Sequence, residues 1–372
     1  MDYQIVNDRE TLEVVCAQAR QCSEIMLDTE FVRTRTFFPQ LGLVQLYDGT
    51  TLSLIDPLEI EDMSAFVELL QDTEVTKVLH ACGEDIEVLN HLYGCAPTPM
   101  MDTQVMAAFL GFGLSTGFAS LVEHYLGVAL DKSESRTDWL ARPLSDKQLD
   151  YAAADVFYLL PLYQKLKDAL SETQWFEAAQ QESRRQVTKR NKSLNVDNAY
   201  LDVKGAWQLS PEALSLLKPL AKWRLEYAIE KDKALSFVVK DPELLDIAKY
   251  HLTNFKKMEQ LGIDYRAVKR HGRTVANIVR DAEAIPEEEY PIKVERLMDK
   301  PGYKQLFKVL KDEVKKASAT SGLATEFIAS KKQINKLVTW VWEQNRDPDA
   351  LPDLMQDWRL DLCGEKLNQQ IL

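Results

Sequence analysis

The sequence has few of the residues that secreted or membrane-embedded proteins depend on. Its five cysteines among 372 residues form no C-x-x-C pair, which argues against a disulfide framework or a zinc site. No uninterrupted apolar run approaches the roughly 18 residues that suggest a membrane span. The first residues show no basic segment followed by an apolar one, so we expect no signal peptide. These absences predict a cytoplasmic protein with reduced thiols and no membrane partner.

The composition is that of a globular protein, with 45% apolar and 28% charged residues, and the net charge of −13 is unevenly distributed. Residues 1–183 hold 11 Lys and Arg against 30 Asp and Glu (net −19). Residues 184–289 hold 20 against 16 (net +4), and residues 290–372 hold 14 against 12 (net +2). A polyanionic substrate would be repelled by the first part unless metal ions neutralise it and the later parts attract it.

The first 170 residues alternate strand-like and helix-like stretches. Four segments have strand patterns, at residues 24–28, 41–47, 51–55 and 74–80. The two in the middle are separated by Asp48-Gly49, a hairpin signal. Amphipathic segments with helical spacing lie at residues 11–20, 63–70, 85–92, 103–110, 118–126 and 146–170. This alternation predicts an α/β fold with a mixed sheet flanked by helices.

Strand patterns nearly vanish after residue 205, so the back half is predicted to be helical. Helical patterns lie at residues 213–227, 242–250, 268–282, 303–316, 325–342 and 352–367. Pro286 and Pro291 predict a boundary near residue 290. The basic run at residues 184–192 lacks apolar periodicity and predicts a helix end that runs into a linker. We therefore expect four segments, at residues 1–183, 184–204 (the basic linker), 205–289 and 290–372.

Four carboxylates and one tyrosine in the first 155 residues are candidates for a metal site. Asp28 and Glu30 are two apart at the end of a buried-looking strand, so their side chains share a face and need a cation. Tyr151 and Asp155 are four apart on a predicted helix and also share a face. Asp85 follows the strand pattern that ends at residue 80. If these residues converge, they form a site for two divalent cations, and paired cations of this kind catalyse the cleavage of phosphodiester bonds.

The spacing alone does not decide between a metal site and a set of solvated acids with a core tyrosine. The D-x-E spacing of Asp28 and Glu30 also occurs at Asp72-Thr73-Glu74, which looks like an exposed turn. The Tyr-x-x-x-Asp spacing is more selective, because only one of the 13 tyrosines, Tyr151, has aspartate four residues later.

Longer strings around these residues carry a resemblance to a known family. Asp28-Thr29-Glu30-Phe31, then Asp85 after His80-Ala81-Cys82-Gly83-Glu84, then Tyr151-Ala152-Ala153-Ala154-Asp155 resemble, in order, the three exonuclease motifs of the DEDD superfamily. Tyrosine instead of histidine in the last motif is typical of the DEDDy branch. Residues 27–36 and 131–144 are similar to those of bacterial ribonuclease D. The resemblance covers the first domain, and it implies a ribonuclease H-like α/β exonuclease fold.

The back half resembles the helical HRDC modules that end the same family. Residues 206–282 look like a first copy, through Leu220-Ala221-Lys222-Trp223-Arg224 and Phe237-Val238-Val239. The proline often found before the second string is absent. Residues 295–372 look like a divergent second copy, in which Trp358-Arg359 does not match the position of Trp223-Arg224. The resemblance thus implies two small all-α HRDC-like domains after the basic linker.

The resemblance also implies a mechanism. Asp28, Glu30 and Asp155 would hold one Mg²⁺ or Mn²⁺, Asp28 would bridge to a second ion, and Asp85 would support that ion largely through water. Tyr151 would orient the attacking water, since its usual pKa near 10 makes it a poor base at neutral pH. The expected activity is the release of 5′-mononucleotides from RNA 3′ ends, such as those of tRNA precursors. We expect a monomer without a nucleotide cofactor.

Other residues carry weaker expectations. Phe31 is more typical of a core residue than of a wedge at the terminal base. The basic run at residues 184–192 is either an RNA guide or a plain linker. Four arginines are candidates for phosphate contacts, although each alone is more often a solvated surface residue: Arg33, Arg35, Arg136 and Arg142. Histidine and tryptophan residues are expected to be structural and not functional: His80, His124, Trp223, Trp340 and Trp342.

Two other functions compete with an exoribonuclease. A DNA 3′→5′ exonuclease is the first, although no polymerase-sized region follows and no G-x-x-x-x-G-K-[ST] loop is present. An RNA-binding scaffold on an inactive nuclease fold is the second. The intact set of Asp28, Glu30, Asp85 and Asp155 argues against the scaffold, because a scaffold does not need four converging acids.

Overall fold

The computed structural model describes residues 1–190 and 194–371. These residues divide between two compact units, each described by itself. The first comprises Met1–Val32, Gln40–Lys192 and Pro301–Leu372, and the second comprises Arg33–Pro39 and Ser193–Lys300. Among the described helices, none has the length and apolar character that crossing a membrane requires.

A six-stranded mixed sheet forms the centre of the first unit. Its strands are β1 (Gln4–Val6), β2 (Glu24–Val32), β3 (Gln40–Tyr47), β4 (Leu52–Ile55), β5 (Thr76–Leu79) and β6 (Met100–Asp102). The order is β1-β4-β3-β2-β5-β6. Strand β3 is antiparallel to both β2 and β4, and the other pairs are parallel. The predicted mixed sheet is confirmed, and β1 and β6 are strands that the sequence patterns did not predict.

Eight helices of the first unit surround or follow the sheet. They are α1 (Arg9–Ala19), α2 (Ser64–Gln71), α3 (Gly83–Tyr93), α4 (Thr103–Phe109), α5 (Phe118–Leu126), α6 (Asp146–Phe157), α7 (Leu159–Ser171) and α8 (Phe176–Arg190). The prediction of one helix over residues 146–170 is wrong, because the chain breaks it at Tyr158 into α6 and α7. Residues 184–190, which we expected within a linker segment, are the last two turns of α8.

Local signals fix where the elements near the predicted site begin. Ser145 and Gln148 form a capping box, in which each side chain bonds the other residue's backbone N–H, so α6 begins at Asp146. Asp102 caps α4 by accepting from the backbone N–H groups of Gln104 and Val105. The apolar run of β2 is buried, with Ile25 and Met26 at 0% exposure. The sheet core therefore holds β2 rigidly up to its acidic end.

The second unit is all-helical over its described residues. Its helices are α9 (Pro211–Glu230), α10 (Leu235–Val238), α11 (Asp241–Lys249), α12 (Phe255–Gln260) and α13 (Tyr265–Ala282). Trp223 packs against their shared core, as expected. The short segment Arg33–Pro39 belongs to this unit, because the backbone N–H groups of Phe37 and Phe38 donate to Asp232 Oδ1 at 3.0 and 2.9 Å. The unit ends at Lys300, ten residues beyond the predicted boundary.

Residues 301–371 are largely helical and pack within the first unit. They contain α14 (Tyr303–Ser321), α15 (Thr325–Ile328), α16 (Lys331–Trp342), α17 (Asp357–Arg359) and α18 (Glu365–Gln369), with a π-helical turn at Leu360–Gly364. Trp340 is buried, as expected. Arg359 forms a buried ion pair with Glu182 of α8 and donates to the carbonyls of Phe327 and Ile328. The predicted fold class, a mixed sheet flanked by helices and followed by all-helical segments, is confirmed.

Candidate active site

Strand β2 carries two of the predicted acids into the interior of the first unit. In the β2–β3 ladder Asp28 lies opposite Gln45 and Glu30 opposite Leu43. The register then shifts between Glu30 and Phe31, so a bulge follows the second acid directly. Glu30 is 9% exposed and Asp28 is partly buried. Because the two residues are two apart on the strand, both carboxylates leave the same face.

Helix α6 supplies the third acid to the same place. One carboxylate oxygen from each of Asp28, Glu30 and Asp155 lies within 4.8 Å of the other two. Asp155 lies 125 residues after Glu30 in the sequence, so the fold, and not local structure, brings it to the two acids of β2. Oxygen atoms at such separations suit the coordination sphere of a hard divalent cation.

Asp85 lies in the first turn of α3, outside this group of three. Its Oδ1 accepts a 2.5 Å hydrogen bond from the hydroxyl of Thr29, the residue between Asp28 and Glu30. Both Thr29 and Asp85 are 6% exposed. The threonine was not predicted to be functional. The bond ties β2 to the first turn of α3.

Crowding and burial of acids dominate the electrostatics of the site. Burial, followed by the charges of Asp85, Asp155 and Glu30, holds the pKa of Asp28 well above its usual range. Burial and then Asp155 raise the pKa of Glu30 to about 9. Burial raises the pKa of Asp155 to about 7. Each of these charged neighbours is another carboxylate, so the cluster lacks the compensation that a cation supplies.

Tyr151 lies one helical turn before Asp155 on α6 and is hydrogen-bonded to it. Burial and then the charges of Asp155, Glu30 and Asp28 raise the pKa of the Tyr151 phenol above its usual value. Its ring lies 6.1 Å from the ring of Trp139, which is 1% exposed. The phenol is therefore a neutral hydrogen-bonding group at the edge of the acidic cluster.

A cavity of about 270 Å³ opens beside these residues. Tyr151, Ala154 and Asp155 form one wall, and the exposed residues Asp131 and Ser133 form part of another. The cavity gives Tyr151 and Asp155 access from solvent. Its wall at residues 130–134 begins the 131–144 string that carried part of the family resemblance.

The four arginines predicted as candidate phosphate contacts have different surroundings in the structure. Arg142 is wrong as a phosphate contact, because its guanidinium is occupied by Asp56 at 2.6 and 2.7 Å and by backbone carbonyls. Arg136 and Arg35 are exposed, and Arg33 donates to the carbonyl of Phe37. These three arginines stay predictions.

The basic run at residues 184–192 is largely paired within the first unit. Arg185 donates to Gln356 Oε1 at 2.6 Å, Lys189 lies 3.1 Å from Glu182, and Arg190 lies 3.2 Å from Glu87. Residues 191 and 192 lie outside the described residues. Cations that are already paired with acids attract a polyanion less strongly, so a proposal of RNA binding does not rest on this run.

Two aromatic residues with weaker expectations are packed in the protein. Phe31 packs against the sheet core, as the core interpretation predicted. His80 accepts or donates a 2.9 Å hydrogen bond with the hydroxyl of Thr103, and burial lowers its pKa. His80 is thus held as a partly buried neutral residue, in agreement with a structural role.

The residues present fit a divalent metal. The donor set consists of carboxylate oxygens only, which Mg²⁺ and Mn²⁺ prefer over softer ligands. Directly opposite Asp28, the Gln45 side chain is 0% exposed, and within the described part of the chain neither of its amide atoms has a hydrogen-bond partner. Buried acids with raised pKa values and an unpaired amide together make a polar pocket that a hydrated cation would satisfy.

Comparison with known proteins agrees with this geometry. A family model described as 3′-5′ exonuclease matches residues 3–171. A model described as HRDC domain matches residues 213–279, and one described as Ribonuclease D, C-terminal HRDC domain matches residues 301–367.

Relatives and solved structures are similar over the whole chain. Ribonuclease D of Serratia proteamaculans is 46% identical, covering 100% of this chain and 99% of the relative. Ribonuclease D of Escherichia coli K12 is 44% identical, covering 99% and 98%. The crystal structure of Escherichia coli RNase D, described as an exoribonuclease involved in structured RNA processing, matches with a TM-score of 0.95 over 100% and 98%. The catalytic core of RRP6 from Trypanosoma brucei matches at 25% identity and a TM-score of 0.63, covering 76% and 81%.

These matches extend over the catalytic domain and both helical domains, so the predicted 3′→5′ exoribonuclease class and the HRDC resemblance are confirmed. An exonuclease match over residues 3–171 and relatives at 44–46% identity leave no part of the chain without a counterpart. The chain belongs to the ribonuclease D family of 3′→5′ exoribonucleases.

Proposed function

We propose that this chain uses divalent metal ions to remove 5′-mononucleotides one at a time from the 3′ ends of structured RNAs, tRNA precursors among them. The observation that carries the proposal is the convergence of Asp28, Glu30 and Asp155 within 4.8 Å, next to Tyr151. The description of the Escherichia coli neighbour as acting in structured RNA processing supports the substrate class.

We propose that the site takes two ions, Mg²⁺ or Mn²⁺. Asp28, Glu30 and Asp155 would hold one, while Asp28 and Asp85 would serve the other. Bound divalent ions supply Lewis acidity for phosphodiester hydrolysis at neutral pH. The hydrogen bond from Thr29 fixes the carboxylate of Asp85, whose charge acts directly on Asp28 and raises the pKa of that acid.

Tyr151 is proposed to orient the attacking water through its hydroxyl. Burial and the neighbouring acids raise its pKa, so the phenol stays protonated at neutral pH and cannot act as the base. Its hydrogen bond to Asp155 holds the hydroxyl at the acidic cluster. With its proton donated to Asp155, the phenol oxygen can accept a hydrogen bond from the water and orient it without adding a charge.

The distribution of lysines explains how an acidic catalytic region can hold RNA. Helices α14 and α16 carry eight lysines and two acids. Four of the lysines on α14 recur at helical spacing and are exposed: Lys304, Lys308, Lys311 and Lys315. An exposed basic stripe attracts phosphates and offsets the repulsion from residues 1–183, whose net charge is −19.

The proposal is tested by giving the protein a labelled single-stranded RNA and the matching DNA, each with Mg²⁺, Mn²⁺ or EDTA. We expect stepwise release of mononucleotides from the RNA 3′ end, only with metal. Asp155→Asn should abolish turnover while RNA binding persists, and Asp168→Asn, an exposed aspartate on α7, should leave turnover unchanged. Internal cuts, or cleavage in EDTA, would contradict the mechanism.

The same assay separates the competing functions. Faster degradation of DNA than of RNA would favour a DNA exonuclease, and binding without turnover would favour a scaffold. A monomeric state and a cytoplasmic location stay predictions, of which the first is measured by light scattering of the purified protein.

A further inference from the structure

Arg142 makes an unusually complete set of contacts for a residue outside the acidic cluster. Its guanidinium forms a bidentate pair with Asp56, with Nε 2.6 Å from Oδ2 and Nη2 2.7 Å from Oδ1. Nη2 also donates to the carbonyl of Gly42 at 2.6 Å, and Nη1 donates to the carbonyls of Trp139 and Ala141 at 2.9 and 2.8 Å. One side chain thus ties residues 139–142 to β3 and to the residue that follows β4.

The contact with β3 lies at the bulge beside Glu30. Glu30 pairs with Leu43 and Phe31 pairs with Leu41, so Gly42 is the extra residue of the bulge. A Cβ atom built on Gly42 would lie 2.4 Å from the carbonyl oxygen of Trp139, a distance that real side chains do not reach. The backbone of Trp139 therefore packs directly on β3 at the register shift that follows Glu30, and only glycine permits this approach.

The same segment is fixed to α6, which carries Tyr151. Gln148 Nε2 donates to the hydroxyl of Thr137 at 3.1 Å and to the carbonyl of Asp138 at 3.3 Å. The ring of Trp139, 1% exposed, lies 6.1 Å from the ring of Tyr151. Residues 137–142 therefore contact both the strand that pairs with Glu30 and the helix that holds Tyr151.

We propose that Arg142 is a positioning residue, which clamps residues 137–142 so that Tyr151 is held in register with the acidic cluster. This inference rests on the proposed function of Tyr151. Arg142 itself touches neither the acids nor the cavity beside them. Its role is geometric. Glu30 lies on β2 and Tyr151 on α6, and the segment around Trp139 is packed between α6 and β3, the strand that pairs with β2.

The test compares Arg142→Lys with Arg9→Lys, an exposed arginine of α1, in steady-state kinetics on single-stranded RNA. Lysine keeps the charge but cannot reproduce the planar fork, so the clamp is lost while the net charge is not. We expect kcat to fall by about 10- to 100-fold, because misplacement by about 1 Å has effects of this size. KM and its dependence on salt should not change, and Arg9→Lys should behave as wild type.

A double-mutant cycle with Tyr151→Phe gives a readout that a general loss of stability would not move. If Arg142 acts by placing Tyr151, then Tyr151→Phe should slow the wild-type enzyme but have little further effect in the Arg142→Lys background. Asp56→Asn, which removes the other half of the pair, should reproduce the kcat loss and the same non-additivity. It also serves as the second variant if Arg142→Lys does not fold.

The outcomes are distinct. Full additivity of Arg142→Lys with Tyr151→Phe, or a lowered melting temperature with unchanged kcat, would overturn the positioning role. A raised KM together with a weaker salt dependence would instead make Arg142 a phosphate contact. Wild-type protein without metal-dependent RNA turnover would contradict the proposed function and not the clamp, whose effect on the Trp139–Tyr151 contact can still be followed by tryptophan fluorescence.

Discussion

The hydroxyl of Thr29 donates a 2.5 Å hydrogen bond to Oδ1 of Asp85 and so joins β2 to the first turn of α3. Burial raises the pKa of Asp85 to about 6, and the bond from Thr29 acts against that rise by stabilising the charged form. Thr29, which lies between the predicted metal ligands Asp28 and Glu30, thus lowers the pH at which Asp85 ionises.

Thr29→Val should shift the acidic limb of the pH–activity profile upward. Without the hydroxyl the pKa of Asp85 rises further, so a higher pH is needed before this carboxylate can serve a metal. Thr29→Ser keeps the hydroxyl and should restore the wild-type limb. The measurement is kcat/KM for RNA between pH 5 and 9 at saturating Mg²⁺. Superimposable profiles for valine and serine variants would show that the bond has no role.

Tyr151→Phe should lower kcat by about 10- to 100-fold, within the range expected for a group that only assists proton transfer or orientation. Mn²⁺ affinity should stay close to that of the wild type, since the carboxylates are intact. The basic side of the pH profile should not change shape, because the phenol does not ionise in this range. Loss of a basic limb in the variant would mean that Tyr151 acts as the base.

The stability of the metal-free protein should fall as pH rises. Glu30 and Asp155 have folded-state pKa values of about 9 and about 7, above their usual values of 4.5 and 3.8. Between the usual and the raised values the folded state binds more protons than the unfolded state, so the free energy of unfolding decreases with pH in this window.

Melting temperatures in EDTA and in Mg²⁺ at pH 5, 7 and 9 measure this effect. Metal should stabilise the protein more at higher pH, because ligands must lose their protons to bind it. Glu30→Gln removes one of these titrating groups and leaves the charges elsewhere in the protein unchanged. In EDTA the melting temperature of this variant should therefore fall less steeply with pH. If the melting temperature falls equally steeply with pH in wild type and variant, charges elsewhere in the protein cause the decline.

Replacing Lys304, Lys308 and Lys311 with glutamine should weaken RNA binding and reduce its salt dependence. Each phosphate contact on a single strand contributes about 0.7 to the slope of log K against log salt, so the triple variant should lose about 2. Lys316→Gln, at a lysine that pairs with Glu313 at 2.5 Å, is the control. Turnover of a dinucleotide should not change, and an unaltered slope would exclude these lysines from RNA binding.

The sequence predicted the long elements well and the short ones poorly. Strands β1 and β6 contain three residues each, too few for an alternating pattern to show. The predicted helix over residues 325–342 is two helices, α15 and α16. Ser330 and Gln333 form a capping box that starts α16, so the signal for this break was present in the sequence.

The acidic site was predictable because its residues follow a known order of motifs. The residues that hold these acids in place were not, because they act through contacts between distant parts of the sequence. Thr29 gave no signal, since its partner Asp85 lies 56 residues away. Arg142 looked like a surface cation, and only the fold brings it to Asp56 and Gly42. Glycine at position 42 is explained by the bulge beside Glu30, which depends on the register of two strands.

Anomalous diffraction from crystals soaked in Mn²⁺ would locate the metal ions themselves. We predict a peak bounded by the carboxylates of Asp28, Glu30 and Asp155, and its loss in Asp155→Asn crystals soaked in the same way. Wild-type crystals without a peak at these carboxylates, from protein that still degrades RNA in the soaking buffer, would contradict a metal centre at this site.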